Sequence, residues 1–230
     1  MFATGVYRDA PAINAAMGRV YFHMMCAVLT SMFVSYMVGT TPELAKFFLT
    51  GAMHWVVIFA PLVFIFIVPV ILESNPPAPV AVATLHGFAG LMGLSLSAIF
   101  IVYAMTSIFT AFMGAAVLFG VMSFYGYFTK RSLESMGQYL FIALIAIIIA
   151  SVINIFVGST VMQMAISAIA IVVFLGFTAY DTQQIREMVS VADEDSIAVE
   201  IMGAITLYLD FINLFVNLLQ LIGVAPGKDD

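Results

Sequence analysis

The chain has 230 residues, of which 63% are hydrophobic and 9% are charged. A soluble domain carries about 25% charged residues, so this chain has too little polar surface to cover itself and must place much of its apolar surface in lipid. Its net charge of −6 is local: Glu187, Asp193, Glu194, Asp195 and Glu200 cluster in one stretch, and no basic patch invites nucleic acid.

The opening MFATGVYRDAPAINAAMGRV lacks the order of basic end, apolar core and small-residue cleavage site that marks a signal peptide, so the first apolar run reads as a retained span. A helix needs roughly 20 apolar residues to cross a bilayer. No charge follows Arg19 until Glu43, which predicts a first span over 20–39. Cys26 lies in this run, and as the single cysteine it excludes an intrachain disulfide. TTPELAKFFLTG reads as a short loop with an amphipathic tail, and a second span over 52–72 is ended by the three prolines of ESNPPAP. From Glu73 to Lys130 no charged residue intervenes, too long a run for one span, which predicts two, over 80–104 and 107–128. The loop TKRSLESMG follows. A second uncharged run, from Glu134 to Asp181, predicts spans over 137–157 and 161–180 joined at FVGSTVMQ. The stretch 181–200 reads as the longest polar segment, and a last span covers 201–223. The chain therefore reads as one all-α membrane domain, with no linker that separates two folds.

Seven spans put the termini on opposite sides. The N-terminal side then holds Arg8, Arg19, Lys130, Arg131 and Arg186, against Lys46 and Lys228 on the other, which predicts a cytoplasmic N-terminus.

The last span carries one charge, Asp210, although an ionised carboxylate at the bilayer centre is disfavoured by several kcal/mol. Glu200, Gly203, Thr206, Asp210, Asn213, Asn217 and Gln220 follow one another at steps of three and four, so the polar side chains share one stripe of the helix. The other faces carry Ile201, Leu207, Leu209, Phe211, Ile212, Leu214, Phe215, Leu218 and Leu219, part of which are expected to face lipid. Such a stripe must face protein or water. Structural hydrogen bonding is the leading account of Asn213, Asn217 and Gln220, whereas an amide would serve as glue without the charge of Asp210. Thr206, Asn213 and Asn217, together with Asn154 of SVINIF, are the candidates for lining an interior path.

The acid best placed to meet Asp210 is Asp181 in FTAYDTQQIREM. It reaches Asp210 if the sixth helix ends below the membrane surface, or if that helix continues through TQQIREMVS. A helix cap fits equally, because D-x-x-Q over 181–184 resembles a capping box. Two carboxyl groups in a low-dielectric site do not both ionise readily and titrate as a unit, so the pair suits a proton sensor, a cation site, or both. His23, His54 and His86 fall on three spans without metal-ligand spacing, and they read as core residues. His86, Gly90, Gly93 and Ser97 share a face that reads as close helix packing. No serine, histidine and acid cluster as in a hydrolase. An intramembrane aspartyl protease would want a glycine-rich motif beside its second acid, which LYLDFINLF lacks, so no enzymatic activity and no cofactor are expected.

AYDTQQI followed by MGAITLYLDFINLF resembles the signature of the Bax-inhibitor family, and GLMGLSLSAIF, YGYFTKRSLESMG and IIASVINIF are similar to its bacterial branch. The resemblance runs over roughly 17–223. It implies seven helices, two three-helix layers wrapped around the C-terminal helix, in a bacterial inner membrane. It implies passive calcium leak regulated by pH through an aspartate pair, which maps onto Asp181 and Asp210, with calcium bound there transiently at most. Calcium prefers oxygen ligands, and the two carboxylates and the asparagine amides supply them. Relatives often carry a basic residue near the end of the second span, where this chain reads IVPVILESNPPAP with Glu73. Eukaryotic relatives suppress cell death, and some bacterial relatives interact with a membrane-bound AAA protease. The alternative expectation is therefore a non-transporting regulator that binds such a protease or another membrane protein, with VADEDS (191–196) as a contact.

Overall fold

A computed structural model describes residues 8–192 and 196–223. Among these residues all regular structure is helical, and seven helices are long and apolar enough to cross a membrane. The chain is an all-α protein with the seven spans that its charge-free intervals predict. Helix α1 (Ala10–Thr40) starts where the side chain of Asp9 accepts a hydrogen bond from Ala12 N at 3.0 Å, with proline in its first turn. Helix α2 (Pro42–Leu49) is the amphipathic tail, with Glu43 in its first turn and Lys46 in its last, each matched to the helix dipole. Helix α3 (Gly51–Glu73) keeps Pro61 and Pro69 inside it. The third span is α4 (Ala78–Leu96) continued by the short α5 (Ile99–Val102). Then come α6 (Met105–Phe128), α7 (Glu134–Val157), α8 (Thr160–Val191) and α9 (Ile197–Ile222). Helix α7 stops at Gly158, whose φ of 68° is the left-handed conformation that glycine adopts without penalty.

Two boundaries differ from the sequence reading. The first span starts ten residues early, because a helix needs a cap and not apolarity to begin, so Arg19 lies inside it. The sixth runs past its polar boundary to Val191, so most of the expected polar segment 181–200 is helix. Of the acidic VADEDS, residues 193–195 lie outside the described residues, as does the tail 224–230.

The chain divides into two compact units, residues 1–102 with 186–208, and 103–185 with 209–230. Two of the three boundaries fall inside helices, at Arg186 in α8 and Leu209 in α9, and the third falls in the turn between α5 and α6. The first unit holds the long helices α1, α3 and α4, the second α6, α7 and α8, and α9 gives its first half to one and its second half to the other. This is the three-and-three grouping that the family resemblance implies.

Within the first unit α1 packs on α4 through Gly93, where an added Cβ would come within 2.7 Å of the Ser31 carbonyl. The Tyr208 hydroxyl, at 2.6 Å, donates to Ser31 Oγ, which itself donates to the Ala27 carbonyl; the Phe88 ring packs edge-on against the Tyr208 ring. Small residues let membrane helices approach closely where burial of apolar surface gives no net drive. Of the four residues expected to share a packing face, His86 bonds Thr30 Oγ1 at 2.8 Å and Ser97 is fully buried, while Gly90 has open space around it.

Helix α7 exposes a nearly continuous apolar surface, with Ile155 and Phe156 among its most open positions. Helix α9 is the opposite case. Ile201, Leu207, Phe211, Leu214 and Leu219 are buried, and the more open positions are Met202, Thr206, Leu209, Asn213, Val216, Asn217, Leu218, Gln220, Leu221 and Ile222. The leucines of α9 are therefore divided: Leu207, Leu214 and Leu219 are buried, and Leu209, Leu218 and Leu221 are half-buried.

Candidate functional site: the paired aspartates

Asp181 lies inside α8, ten residues before its end, so the capping-box reading is excluded: a cap stands outside the helix it caps. Four neighbours fix its position within the second unit. Ala179 sits against Gly126 of α6, where any Cβ would meet the Ala179 carbonyl. The Tyr180 ring covers Gly137 of α7, so closely that an added Cβ would lie 2.5 Å from it. Thr182 Oγ1 and Ser123 Oγ of α6 are hydrogen-bonded at 3.0 Å. Gln183 accepts from Leu133 N at 2.7 Å and donates through Nε2 to the Arg131 carbonyl at 2.9 Å, tying the α6–α7 loop to α8. The run AYDTQ is thus a series of anchors around one acid.

Asp210 is held by the neighbouring residues of α9. Phe211 packs edge-on against Phe112 and Phe119 of α6, and Phe215 against Phe112. Aromatic pairs of this geometry contribute about 0.5–1.5 kcal/mol each beyond buried area. Asp210 is 4% exposed, and its side chain lies beside that of Asp181. Its Oδ2 atom is buried and has no donor among the described residues. Asp181 is also the charged group that bears on it. Two carboxyl groups placed together in a low-dielectric site do not both ionise readily, so the pair is suited to sharing one proton. Among the described residues no third His, Cys, Asp or Glu joins the two in a group that could hold a metal ion.

The path candidates take different places. Asn154 is buried at the α7–α8 turn, where its Oδ1 accepts from Ser159 N and its Nδ2 donates to Gln163 Oε1, both at 3.1 Å. Thr206 Oγ1 donates to its own helix at the Met202 carbonyl. Asn213 and Asn217 each donate to the carbonyl four residues earlier, at 2.8 Å, and do not bond across to another helix. They are half-buried.

Two groupings were not singled out on the sequence. In the first unit Arg19 grips both carboxylate oxygens of Glu200, with Nε at 3.0 and 2.8 Å and Nη2 at 2.5 Å; Glu200 is 3% exposed. In the second unit Gln220 Oε1 accepts from Gln163 Nε2 and from Ser167 Oγ, each at 2.7 Å. The signal for both was the stripe itself, since Glu200 and Gln220 are its two ends. Glu73, where relatives often carry a basic residue nearby, is an exposed residue at the end of α3.

Comparison with known proteins places these features in context. The family model described as inhibitor of apoptosis-promoting Bax1 matches residues 13–226. The inner membrane protein YbhL of Escherichia coli K12 is 37% identical over 223 residues, covering 95% of each chain. Protein YrjE of Lactococcus lactis is 34% identical over 224 residues, 95% of this chain and 94% of that one. A Deinococcus radiodurans protein is 33% identical over 211 residues, 91% and 90% of the two chains.

Proposed function

The chain belongs to the Bax-inhibitor family, and from that premise we propose that it is a passive, proton-regulated cation leak of a bacterial inner membrane, with calcium the favoured ion and no enzymatic activity. The observation that carries the reading is the juxtaposition of Asp181 and Asp210, the latter buried in the middle of α9. The inner-membrane assignment rests on the seven apolar helices and on the similarity to YbhL, which is named for that membrane. The N-terminus faces the cytoplasm, following the distribution of Lys and Arg.

The mechanism follows from the pair. With a proton between them the two acids tie α8 to α9. When the proton leaves, two carboxylates face each other in a medium that screens them poorly, and they separate unless water or a cation enters. Proton binding thus biases two arrangements of these helices, as a switch requires. A divalent cation takes the proton's place as the charge that holds the oxygens, and the amide oxygens of Asn213 and Asn217 continue the supply of oxygen ligands along the helix.

Calcium flux into proteoliposomes containing only this protein, across a pH series, tests the proposal. Wild type should carry a pH-dependent flux, and Asp181→Asn and Asp210→Asn should carry one without pH dependence, because an amide keeps the shape but does not titrate. Variants that keep the wild-type profile would overturn the aspartate switch. No flux from the pure wild-type protein would turn the reading to a non-transporting regulator that binds a membrane protease or another membrane protein.

A further inference from the structure

Within the second unit, α9 carries Asp210, Asn213, Asn217 and Gln220 at steps of three, four and three. The hydrogen bonds of these four side chains differ in one respect. Asn213 and Asn217 both spend an N–H on their own helix, at the Leu209 and Asn213 carbonyls, which turns each Oδ1 away from the helix axis with no donor among the described residues. Asp210 Oδ2 also lacks a donor. Three oxygens in succession are therefore free to accept, on positions that step along the helix by about 5 Å each. Each amide also keeps one N–H, but the single ionisable group of the file is the Asp210 carboxyl, and with the amide oxygens it favours a cation over an anion.

At Gln220 the pattern reverses. Its Oε1 is covered twice, by Gln163 Nε2 and by Ser167 Oγ of α8. Gln163 Oε1 is covered in turn by Asn154 Nδ2, and Asn154 Oδ1 by Ser159 N. Every oxygen of this cluster has its donor, so none is available to a passing ion until the cluster opens. The surrounding turn is apolar, with Ile155, Phe156, Val157 and Val161 strongly exposed.

We propose that the acceptor file Asp210–Asn213–Asn217 is the cation path, and that Gln220, clamped by Gln163 and Ser167, is the gate that closes its end remote from the N-terminal side. The proposal rests on the leak reading and adds to it a barrier that does not titrate, about 15 Å along α9 from the acid pair. Gln163 and Ser167 act through Gln220 and are positioning residues.

The test measures access to the file and not transport alone. In a Cys26→Ala background, Asn217→Cys is labelled with a membrane-impermeant thiol reagent in vesicles of each orientation. Labelling should be slow with Gln220 intact. It should be faster by about ten- to hundredfold after Gln220→Leu, which removes two hydrogen bonds of ordinary strength, and it should come from the face opposite the N-terminus. Ser167→Ala removes one of the two donors and gives a smaller acceleration. It carries the test if Gln220→Leu does not fold. In proteoliposomes the same variants should raise calcium flux and leave its pH profile in place. Labelling that is unchanged in folded variants, or that is already fast with Gln220 intact, would overturn the gate and leave the cluster as packing. A wild-type protein that carries no flux, but whose labelling accelerates as described, would sink the leak reading while the closed amide cluster stands.

Discussion

Gly126→Ala isolates one contact, because adding a single methyl group tests how α6 holds the acid-bearing turn of α8. A Cβ at this position would meet the Ala179 carbonyl group, with the Ala179 C and Cα atoms both at 2.9 Å. All these atoms are backbone, so no rotamer change relieves the overlap and the two helices must part by several tenths of an ångström. Overpacking of this kind costs about 1–3 kcal/mol, and the better helix propensity of alanine returns roughly 1 kcal/mol. The net loss is then up to about 2 kcal/mol, or a fall in Tm of up to roughly 8 °C for a chain of this length. Gly120→Ala is the control, on the same helix with nothing within 4 Å of the added atom. It gains the propensity without the clash, and its Tm should hold or rise. Thermal unfolding of both purified variants, followed by the loss of the monodisperse peak in detergent, reads the difference. Because Asp181 lies two residues beyond Ala179, Gly126→Ala should also shift the pH profile of flux, which Gly120→Ala leaves alone. Equal Tm values for the two variants would refute the contact, and with it the account of how Asp181 is placed.

Arg19→Met should destabilise more than Glu200→Gln, by about 3 kcal/mol against about 1, since the first strands a carboxylate that is 3% exposed and the second leaves a half-exposed guanidinium that reaches water; the order of the two Tm values checks this. Asn213→Leu and Asn217→Leu each lose one bond to their own helix and should cost under about 1 kcal/mol, whereas Leu214→Ala, at a fully buried position, should cost about 2–5 kcal/mol. The reverse order would return the asparagines to a role as glue between helices. Cysteines at Ser132 and Ser190, in a Cys26→Ala background, should label from one and the same side; labelling from opposite faces would overturn the seven-span topology.

The number of spans was legible because an uncharged run of membrane length has few other uses. Asp210, Asn213 and Asn217 were legible as one stripe because a helix repeats every 3.6 residues regardless of its surroundings. What escaped was whatever hydrophobicity does not encode. Leu207 and Leu214 are fully buried in protein while Ile155 and Phe156 are widely exposed, yet lipid and protein interior are equally apolar, so the residues read alike. The end of α8 escaped because Thr182, Gln183 and Gln184 are acceptable helix residues, and polarity there marks a change of surroundings but not the end of the helix. The pairing of Arg19 with Glu200 joins residues far apart in the chain, and no local pattern connects them.

The burial of α9, the most enclosed of the seven spans, has a consequence for synthesis. A span that leaves the translocon sideways must first be acceptable to lipid, and an aspartate near the centre of such a segment costs about 2.5–3.5 kcal/mol on insertion scales. Helix α9 bears Glu200, Asp210, two asparagines and a glutamine, and it emerges after the six other spans. It need never be lipid-solvated alone, because the surfaces that receive it are made first. Arg19 is in place for Glu200, and Asp181 for Asp210, before either acid is translated. The order of the chain thus supplies each partner ahead of the charge that requires it, and a ribosome stalled before residue 197 would leave a bundle of finished helices with its receiving surfaces bare.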